Sequence, residues 1–167
     1  MIHDDTATVR LDTPIGTLVL EGDDAAVTYI HLPNSLPDAV ATGPAAGGKA
    51  GGDVPAPLRE AVHQLEEYFG GSRRTFSVPL APSGTAFQLS VWKALAEIPY
   101  GETITYGELA RRVGRPTAFR AVGQANGANP LPIVYPCHRV VAAGGIGGYG
   151  GGLDVKRRLL ALEGVTA

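Results

Sequence analysis

Residues 105–125, TYGELARRVGRPTAFRAVGQA, predict two helices joined by a short turn. The first helix begins at Thr105, and Glu108 three residues later completes the pattern of a capping box. Gly114 then turns the chain, and Pro116 suits the first position of a second helix. The apolar face of the first helix comprises Tyr106, Leu109, Ala110 and Val113, and that of the second comprises Ala118, Ala121, Val122 and Ala125. This arrangement has the outline of a helix-turn-helix motif.

The rest of the second half of the chain is also predominantly helical. A helix precedes the motif and ends at Pro99-Tyr100-Gly101, and its apolar face comprises Phe87, Val91, Leu95 and Ile98. Residues 130–152 are rich in Gly and Pro, which predicts loops and short strands. A last helix lies beside the basic cluster Lys156-Arg157-Arg158. Its apolar face comprises Val155, Leu159 and Leu162.

The first half of the chain predicts a small antiparallel sheet followed by one helix. Three short alternating runs contain Val9 and Leu11, Leu18 and Leu20, and Val27, Tyr29 and Ile30. Turn residues separate the runs, which is typical of a three-stranded meander. Residues 33–57 are rich in Pro, Gly and Ala and predict a long flexible surface loop. The helix that follows ends at Gly70-Gly71, and its apolar face comprises Leu58, Val62, Leu65 and Phe69.

The length and composition indicate a globular protein of two small domains. The chain has 167 residues, of which 44% are hydrophobic and 18% charged. Pro82-Ser83-Gly84 predicts a boundary between an N-terminal α/β domain, residues 1–82, and a C-terminal domain, residues 83–167. No apolar run approaches the roughly 20 residues of a membrane helix, and no secretory signal is apparent. We therefore expect a cytoplasmic protein.

The charge of the chain is distributed unevenly between its halves. The net charge is -2. Residues 84–167 carry nine Lys and Arg against five Asp and Glu, whereas residues 1–83 carry five against 11. A basic second half favours contact with a polyanion such as DNA. In the second helix of the motif, Thr117, Arg120 and Gln124 lie on one side. They could contact DNA, or Arg120 could be an ordinary solvated charge on a helix.

The single cysteine, Cys137, excludes an internal disulfide and a Cys-rich zinc site. We predict no metal and no cofactor. Cys137 stands in the sequence Pro136-Cys137-His138-Arg139, where a neighbouring imidazole or cation could lower its pKa and make it a nucleophile. Because neighbouring side chains of a strand point apart, His138 reaches the thiol only if the chain bends or a water bridges them. From these residues alone, a reactive thiol and a buried structural thiol both remain open.

Five segments between residues 84 and 163, about half of the chain, together resemble the methylated-DNA–protein-cysteine methyltransferases, also called O-6-alkylguanine-DNA alkyltransferases. They are Ile98-Pro99-Tyr100-Gly101-Glu102-Thr103, Tyr106-Gly107-Glu108-Leu109-Ala110, Arg120-Ala121-Val122-Gly123, residues 129–141 and Tyr149-Gly150-Gly151-Gly152. The resemblance implies an α+β fold with a ribonuclease-H-like N-terminal domain and a winged helix-turn-helix-like C-terminal domain. It also implies irreversible, single-turnover transfer of the alkyl group of O-6-alkylguanine to Cys137, with O-4-alkylthymine left open as a substrate.

The resemblance assigns a role to each residue of the reaction. His138, through a water and together with Glu163, would form the base that generates the Cys137 thiolate. Tyr106 would donate a proton toward N3 of the leaving guanine. Asn129 would tie the helix-turn-helix motif to the active-site turn.

The resemblance also assigns roles in DNA binding and in the base pocket. The guanine would be flipped out of the duplex, with Arg120 entering the stack through the minor groove. The remaining residues of the DNA-binding set are Thr117, Phe119, Gln124 and Arg139. Carbonyl oxygens of Cys137 and Val140 would accept from the exocyclic amine of the guanine, and Tyr149 and Gly150 would line the pocket. Phe119, where the family usually has a small residue, and Tyr135, where it usually has an aliphatic one, are departures.

Three other functions remain to be distinguished. An alkyltransferase-like sensor would recognise damaged bases without repairing them, but such relatives replace the nucleophile. A helix-turn-helix transcription regulator would leave Pro136-Cys137-His138-Arg139 unexplained. A thiol hydrolase would require turnover and an oxyanion site. The expected partner is double-stranded DNA that contains alkylated guanine, bound by a monomer, with cooperative assembly on DNA left open.

Overall fold

A computed structural model of the protein describes residues 6–35 and 54–166. The chain forms two compact units, Met1–Pro82 and Ser83–Ala167. The first unit combines a three-stranded antiparallel sheet with a helix, and the second is mainly helical. The predicted α+β fold class is therefore confirmed. None of the helices in the described ranges is long and apolar enough to cross a membrane.

The sheet of the first unit is the predicted meander. Its strands are β1 (Ala7–Thr13), β2 (Gly16–Gly22) and β3 (Val27–His31). Val9 pairs with Leu20, and Leu20 pairs with Ile30, so these three buried side chains form one apolar row across the sheet. Gly16 has a φ of 114°, and this backbone conformation of the β1–β2 turn favours glycine.

Helix α1 (Ala56–Phe69) begins inside the segment that the composition assigned to a loop. Pro57 fits there because its ring presets φ and the first turn needs no backbone donor. Tyr68 is fully buried, whereas Phe69, expected on the apolar face, is only partly buried. Residues 36–53 of the predicted loop lie outside the described residues.

The second unit contains four helices in the described ranges and two short strands. They are α2 (Ala86–Ala96), β4 (Ile104–Thr105), α3 (Tyr106–Arg112), α4 (Phe119–Gly127), β5 (Val140–Val141) and α5 (Leu153–Leu162). Ile104 pairs with Val140, and the two strands run parallel. This pairing places the start of α3 beside the segment that follows Cys137.

The helix-turn-helix region differs from its prediction at three points. Thr105 caps α3 by accepting from the Glu108 amide at 3.1 Å, but the Glu108 carboxylate accepts from Arg111 instead of completing a capping box. Helix α4 begins at Phe119 and not at Pro116, because the Ala118 amide closes a turn over residues 116–117. Ala121, expected on the apolar face, is exposed.

Helix α4 is nevertheless anchored firmly to the core of its unit. Val122 and Ala125 are buried in that core. The indole Nε1 of Trp92, a buried residue of α2, donates to the Ala125 carbonyl at 2.8 Å. The opposite face of α4 is therefore held in a fixed orientation towards solvent.

Candidate active site

Cys137 begins a tight 3-10 turn, Cys137–Arg139, directly after Pro136. The Arg139 amide donates to the Pro136 carbonyl at 2.9 Å, and the Cys137 amide donates to the Tyr135 carbonyl at 2.7 Å. The chain therefore bends at this point and is not an extended strand. A bend here was one of the two ways, besides a bridging water, in which His138 could interact with the Cys137 thiol.

Asn129 holds the approach to this turn with both ends of its side-chain amide. Its Nδ2 donates to the Tyr135 carbonyl at 2.7 Å, and its Oδ1 accepts from the Leu131 amide at 2.9 Å. Asn129 follows α4 closely, so these bonds connect the helix-turn-helix region to the segment that leads into Cys137. The tying role of Asn129 stays a prediction, and these two hydrogen bonds are the contacts through which it would act.

The Cys137 thiol is buried, with 5% of the residue exposed. Burial raises the pKa of the thiol, because a thiolate is poorly solvated there, while hydrogen bonds from Asn129 and Tyr149 and the charge of Lys156 oppose this shift. The Sγ atom lies 3.8 Å from the Tyr149 hydroxyl. The resting side chain is therefore a thiol that needs a base before it can react.

His138 and Glu163 form a buried pair beside the turn. His138 Nε2 lies 2.7 Å from Glu163 Oε2, and both side chains are fully buried. Because a carboxylate only accepts, Nε2 carries a proton, and in the neutral ring Nδ1 is then an acceptor. Burial lowers the pKa of His138 and keeps the ring neutral, against the opposing effect of Glu163. Nδ1 has no hydrogen-bond partner among the described residues.

Arg139, expected at the DNA surface, is buried instead. Its Nε and Nη2 donate to the Glu163 carboxylate at 2.8 and 3.0 Å, and its Nη1 donates to the Ile98 carbonyl at 2.6 Å. A guanidinium in these bonds is not available to a phosphate, so the assignment of Arg139 to the DNA-binding set is corrected. Arg139 instead neutralises Glu163 and fixes its orientation towards His138.

Lys156, which the sequence showed only as part of the basic cluster Lys156-Arg157-Arg158, is a residue of the site. Its side chain is fully buried, whereas its neighbours Arg157 and Arg158 are exposed. Lys156 Nζ donates to the Val140 carbonyl at 2.7 Å and to the Gly148 carbonyl at 3.0 Å. Lys156 lies four residues before the buried Leu160, so the two share one face of α5. This spacing could have indicated that Lys156 points inward.

Tyr106 and Tyr149 pack against the core that contains Cys137, and Tyr106 contacts the glycine-rich loop. The Tyr106 hydroxyl donates to the Gly148 carbonyl at 3.4 Å, and burial raises the pKa of this phenol, which stays protonated. Tyr149 is half-buried and Gly150 is exposed. Gly147 has a φ of 76°, and a Cβ there would lie 3.2 Å from the Tyr106 hydroxyl. Glycine therefore allows the loop to pack closely against Tyr106.

Four of the five residues predicted to contact DNA lie in the helix-turn-helix region. All four are exposed: Thr117, Phe119, Arg120 and Gln124. No group of three His, Cys, Asp or Glu side chains that could hold a metal ion occurs in residues 6–35 and 54–166.

Family comparisons match both units of the chain. Residues 9–82 match the ribonuclease-like domain of 6-O-methylguanine DNA methyltransferase, and residues 86–165 match its DNA-binding domain. A methylated-DNA–protein-cysteine methyltransferase of Methanosarcina acetivorans is 47% identical over 161 residues, covering 92% of this chain and 95% of the relative. The chain belongs to the methylated-DNA–protein-cysteine methyltransferase family. The predicted family and enzyme class are confirmed.

Solved structures agree with this family assignment. The O6-methylguanine methyltransferase of Mycobacterium tuberculosis matches with a TM-score of 0.81 at 44% identity, covering 95% of this chain and 92% of that one. A structure of the same bacterium's protein in complex with DNA matches with a TM-score of 0.81, covering 94% of this chain and 92% of that one. The methyltransferase described here is therefore a DNA-binding repair protein of the O-6-methylguanine type.

Because of Lys156, the free energy of unfolding of this methyltransferase should change with pH in the alkaline range. Burial lowers the pKa of Lys156 from 10.5 to about 8, so between these values the unfolded chain binds the proton that the folded chain has lost. Relative to Lys156→Met, the free energy of unfolding of the wild type should therefore rise from pH 8 to pH 10.5, by about 3 kcal/mol. Urea unfolding at several pH values measures this, with Lys93→Met at an exposed position of α2 as the matched control variant. If the difference in free energy of unfolding between the wild type and Lys156→Met stayed constant from pH 8 to pH 10.5, the expectation would be wrong.

Proposed function

We propose that the protein transfers the alkyl group of O-6-alkylguanine in double-stranded DNA to Cys137, once and irreversibly. The observation that carries this proposal is the buried Cys137 in a sharp turn beside the buried His138–Glu163 pair. An isolated structural thiol would need no adjacent neutral imidazole with a buried, unpartnered nitrogen. The family assignment supplies the substrate class.

The geometry supports a simple route for the proton of the thiol. His138 Nδ1 is an acceptor because Nε2 donates to Glu163, so it can take the proton from Cys137 through a bridging water. Arg139 holds the Glu163 carboxylate in its orientation, and Glu163 stabilises the imidazolium that forms. The roles of His138 and Glu163 are those of a general base and of the group that orients it.

The transfer itself is an in-line displacement at the alkyl carbon. The bond from Sγ of Cys137 to that carbon forms as the bond from the carbon to O6 of guanine breaks, and the electron pair stays with the guanine. Tyr106, whose phenol is protonated at neutral pH, donates a proton toward N3 and so avoids a guanine anion as the leaving group. Such a donation contributes roughly 10²–10⁴-fold in rate. The thioether product has no leaving group that would regenerate the thiol, so each molecule reacts once.

The burial of Cys137 supports base flipping, since a base within a duplex could not reach this thiol. In the pocket, the Cys137 and Val140 carbonyls would accept from the exocyclic amine, between Tyr149 and Gly150. The Val140 carbonyl already accepts from Lys156 and keeps a second lone pair for the base. Arg120, exposed on α4 with Thr117 and Gln124 nearby, would enter the stack and hold the gap.

Intact mass spectrometry tests the proposal directly. After incubation with duplex DNA that contains O-6-methylguanine, the protein should gain one methyl group in place of one hydrogen, at a stoichiometry of one. Peptide mapping should place the modification on Cys137. An unchanged mass with retained binding would indicate a damage sensor, and many product molecules for each protein would indicate a turnover enzyme. Either result would contradict the proposal.

A further inference from the structure

Phe119, the first residue of α4, is 54% exposed and is the most exposed large apolar side chain in the described ranges. It directly precedes the exposed Arg120. Single exposed apolar residues are common on protein surfaces. What Phe119 does therefore depends on the groups that surround it.

The Phe119 ring is supported from one side by α3. A Cβ atom at Gly107, in the first turn of α3, would lie 3.4 Å from Phe119 Cε1 and 3.8 Å from Arg111 Nη1. The ring and the guanidinium thus converge over this glycine. Arg111 is itself fixed there by Glu108, which accepts from its Nε and Nη2 at 3.0 and 2.8 Å. The ring therefore lies against the first turn of α3 on one side, while 54% of the residue stays exposed.

The helix-turn-helix region that carries this ring is strongly basic. Four exposed arginines lie in α3, the turn and α4, namely Arg111, Arg112, Arg115 and Arg120, against the single acid Glu108. This combination of positive charge and one projecting apolar ring complements duplex DNA, where anionic phosphates flank stacked, apolar base faces. Apolar wedges of this kind insert between base steps in proteins that distort DNA through the minor groove.

We propose that Phe119 is an apolar wedge that contacts the base step next to the alkylated guanine and promotes its extrusion. This inference rests on the proposed function. Consecutive residues of a helix point about 100° apart, so Phe119 and Arg120 cannot fill the same gap. While Arg120 occupies the space that the flipped base leaves, Phe119 covers the neighbouring step, and its rigid ring keeps that step unstacked.

Single-turnover transfer to Phe119→Ala and Phe119→Leu tests the wedge with two substrates. One is duplex DNA containing O-6-methylguanine, and the other is the free base O-6-benzylguanine, which needs no extrusion. Because the Ala variant loses the aromatic contact to the bases, Phe119→Ala should slow transfer from the duplex about ten-fold, and Phe119→Leu should slow it less. Transfer from the free base should stay within about two-fold of wild type. Leu89→Ala, which removes another half-exposed apolar side chain of the same unit, is the matched control.

A fluorescent 2-aminopurine in the step beside the lesion reports unstacking independently of the chemistry. Its fluorescence should rise on binding of the wild type and rise clearly less with Phe119→Ala. Equal duplex rates for Phe119→Ala and wild type, or an equal loss with both substrates, would overturn the wedge. A wild-type protein that accepts the alkyl group from neither substrate would instead contradict the proposed function itself.

Discussion

Cys137→Ser is expected to abolish alkyl transfer while the protein still binds duplex DNA that contains O-6-methylguanine. A serine hydroxyl is a far weaker nucleophile than a thiol, and its pKa is too high for His138 to deprotonate it. Because the chain contains one cysteine, no other thiol can accept the group. Intact mass spectrometry and a fluorescence-anisotropy binding assay measure the two quantities.

The control for this variant is its unfolding midpoint, which should stay close to that of the wild type, since Ser differs from Cys by one atom. A mass gain in Cys137→Ser would show that another residue is the acceptor. Loss of DNA binding would show that Cys137 serves recognition as well. The mass gain would contradict the role proposed for Cys137.

Glu163→Gln is expected to be the most destabilising conservative change in the site. It keeps the shape of the side chain but removes the charge that Arg139 and His138 share in a buried setting. Breaking a buried ion pair from one side costs about 3–5 kcal/mol, because the remaining charge has no counterion. Urea unfolding should show a loss of this size. The rate of transfer should also fall, since the imidazolium of His138 loses its stabilising partner.

The double variant Glu163→Gln with Arg139→Met separates these two effects. Removing the uncompensated guanidinium should restore part of the lost stability, while transfer stays slow because the carboxylate is still absent. Glu102→Gln, which changes an exposed acid of the same unit, is the matched control. A double variant that recovers full transfer would show that Glu163 contributes only to folding.

Local patterns predicted much of the fold correctly. Alternation and turn residues located the three strands of the sheet, and apolar spacing located the helices of the second unit. The errors occur where neighbouring groups compete. Before α4, Pro116 lies in a turn that the Ala118 amide closes by donating to the Arg115 carbonyl. The helix therefore begins three residues later than predicted, at Phe119. At α3, Arg111 and Arg112 bind the Glu108 carboxylate that a capping box would have used.

The basic residues of the site show a different kind of error. Arg139 was assigned to the DNA-binding set, and Lys156 was described only as part of a basic cluster. Isolated charges are rarely buried, so neither pattern indicated an inward position. Their partners are distant in sequence. Glu163 lies 24 positions from Arg139, and the Val140 carbonyl lies 16 positions from Lys156. Whether a charge can be buried depends on such partners, and no local pattern reports them.

The sequence by itself determined that Cys137 stands in Pro136-Cys137-His138-Arg139, and the ordered segments around it carried the resemblance to the methyltransferases. It left open how the thiol is deprotonated, because neighbouring residues need not face each other. Only the tertiary structure decided that His138 is buried against Glu163 with Nδ1 as an acceptor, and that Arg139 and Lys156 turn inward. Desolvation and long-range hydrogen bonds set the proton affinities of these groups, and both exist only once the chain is folded.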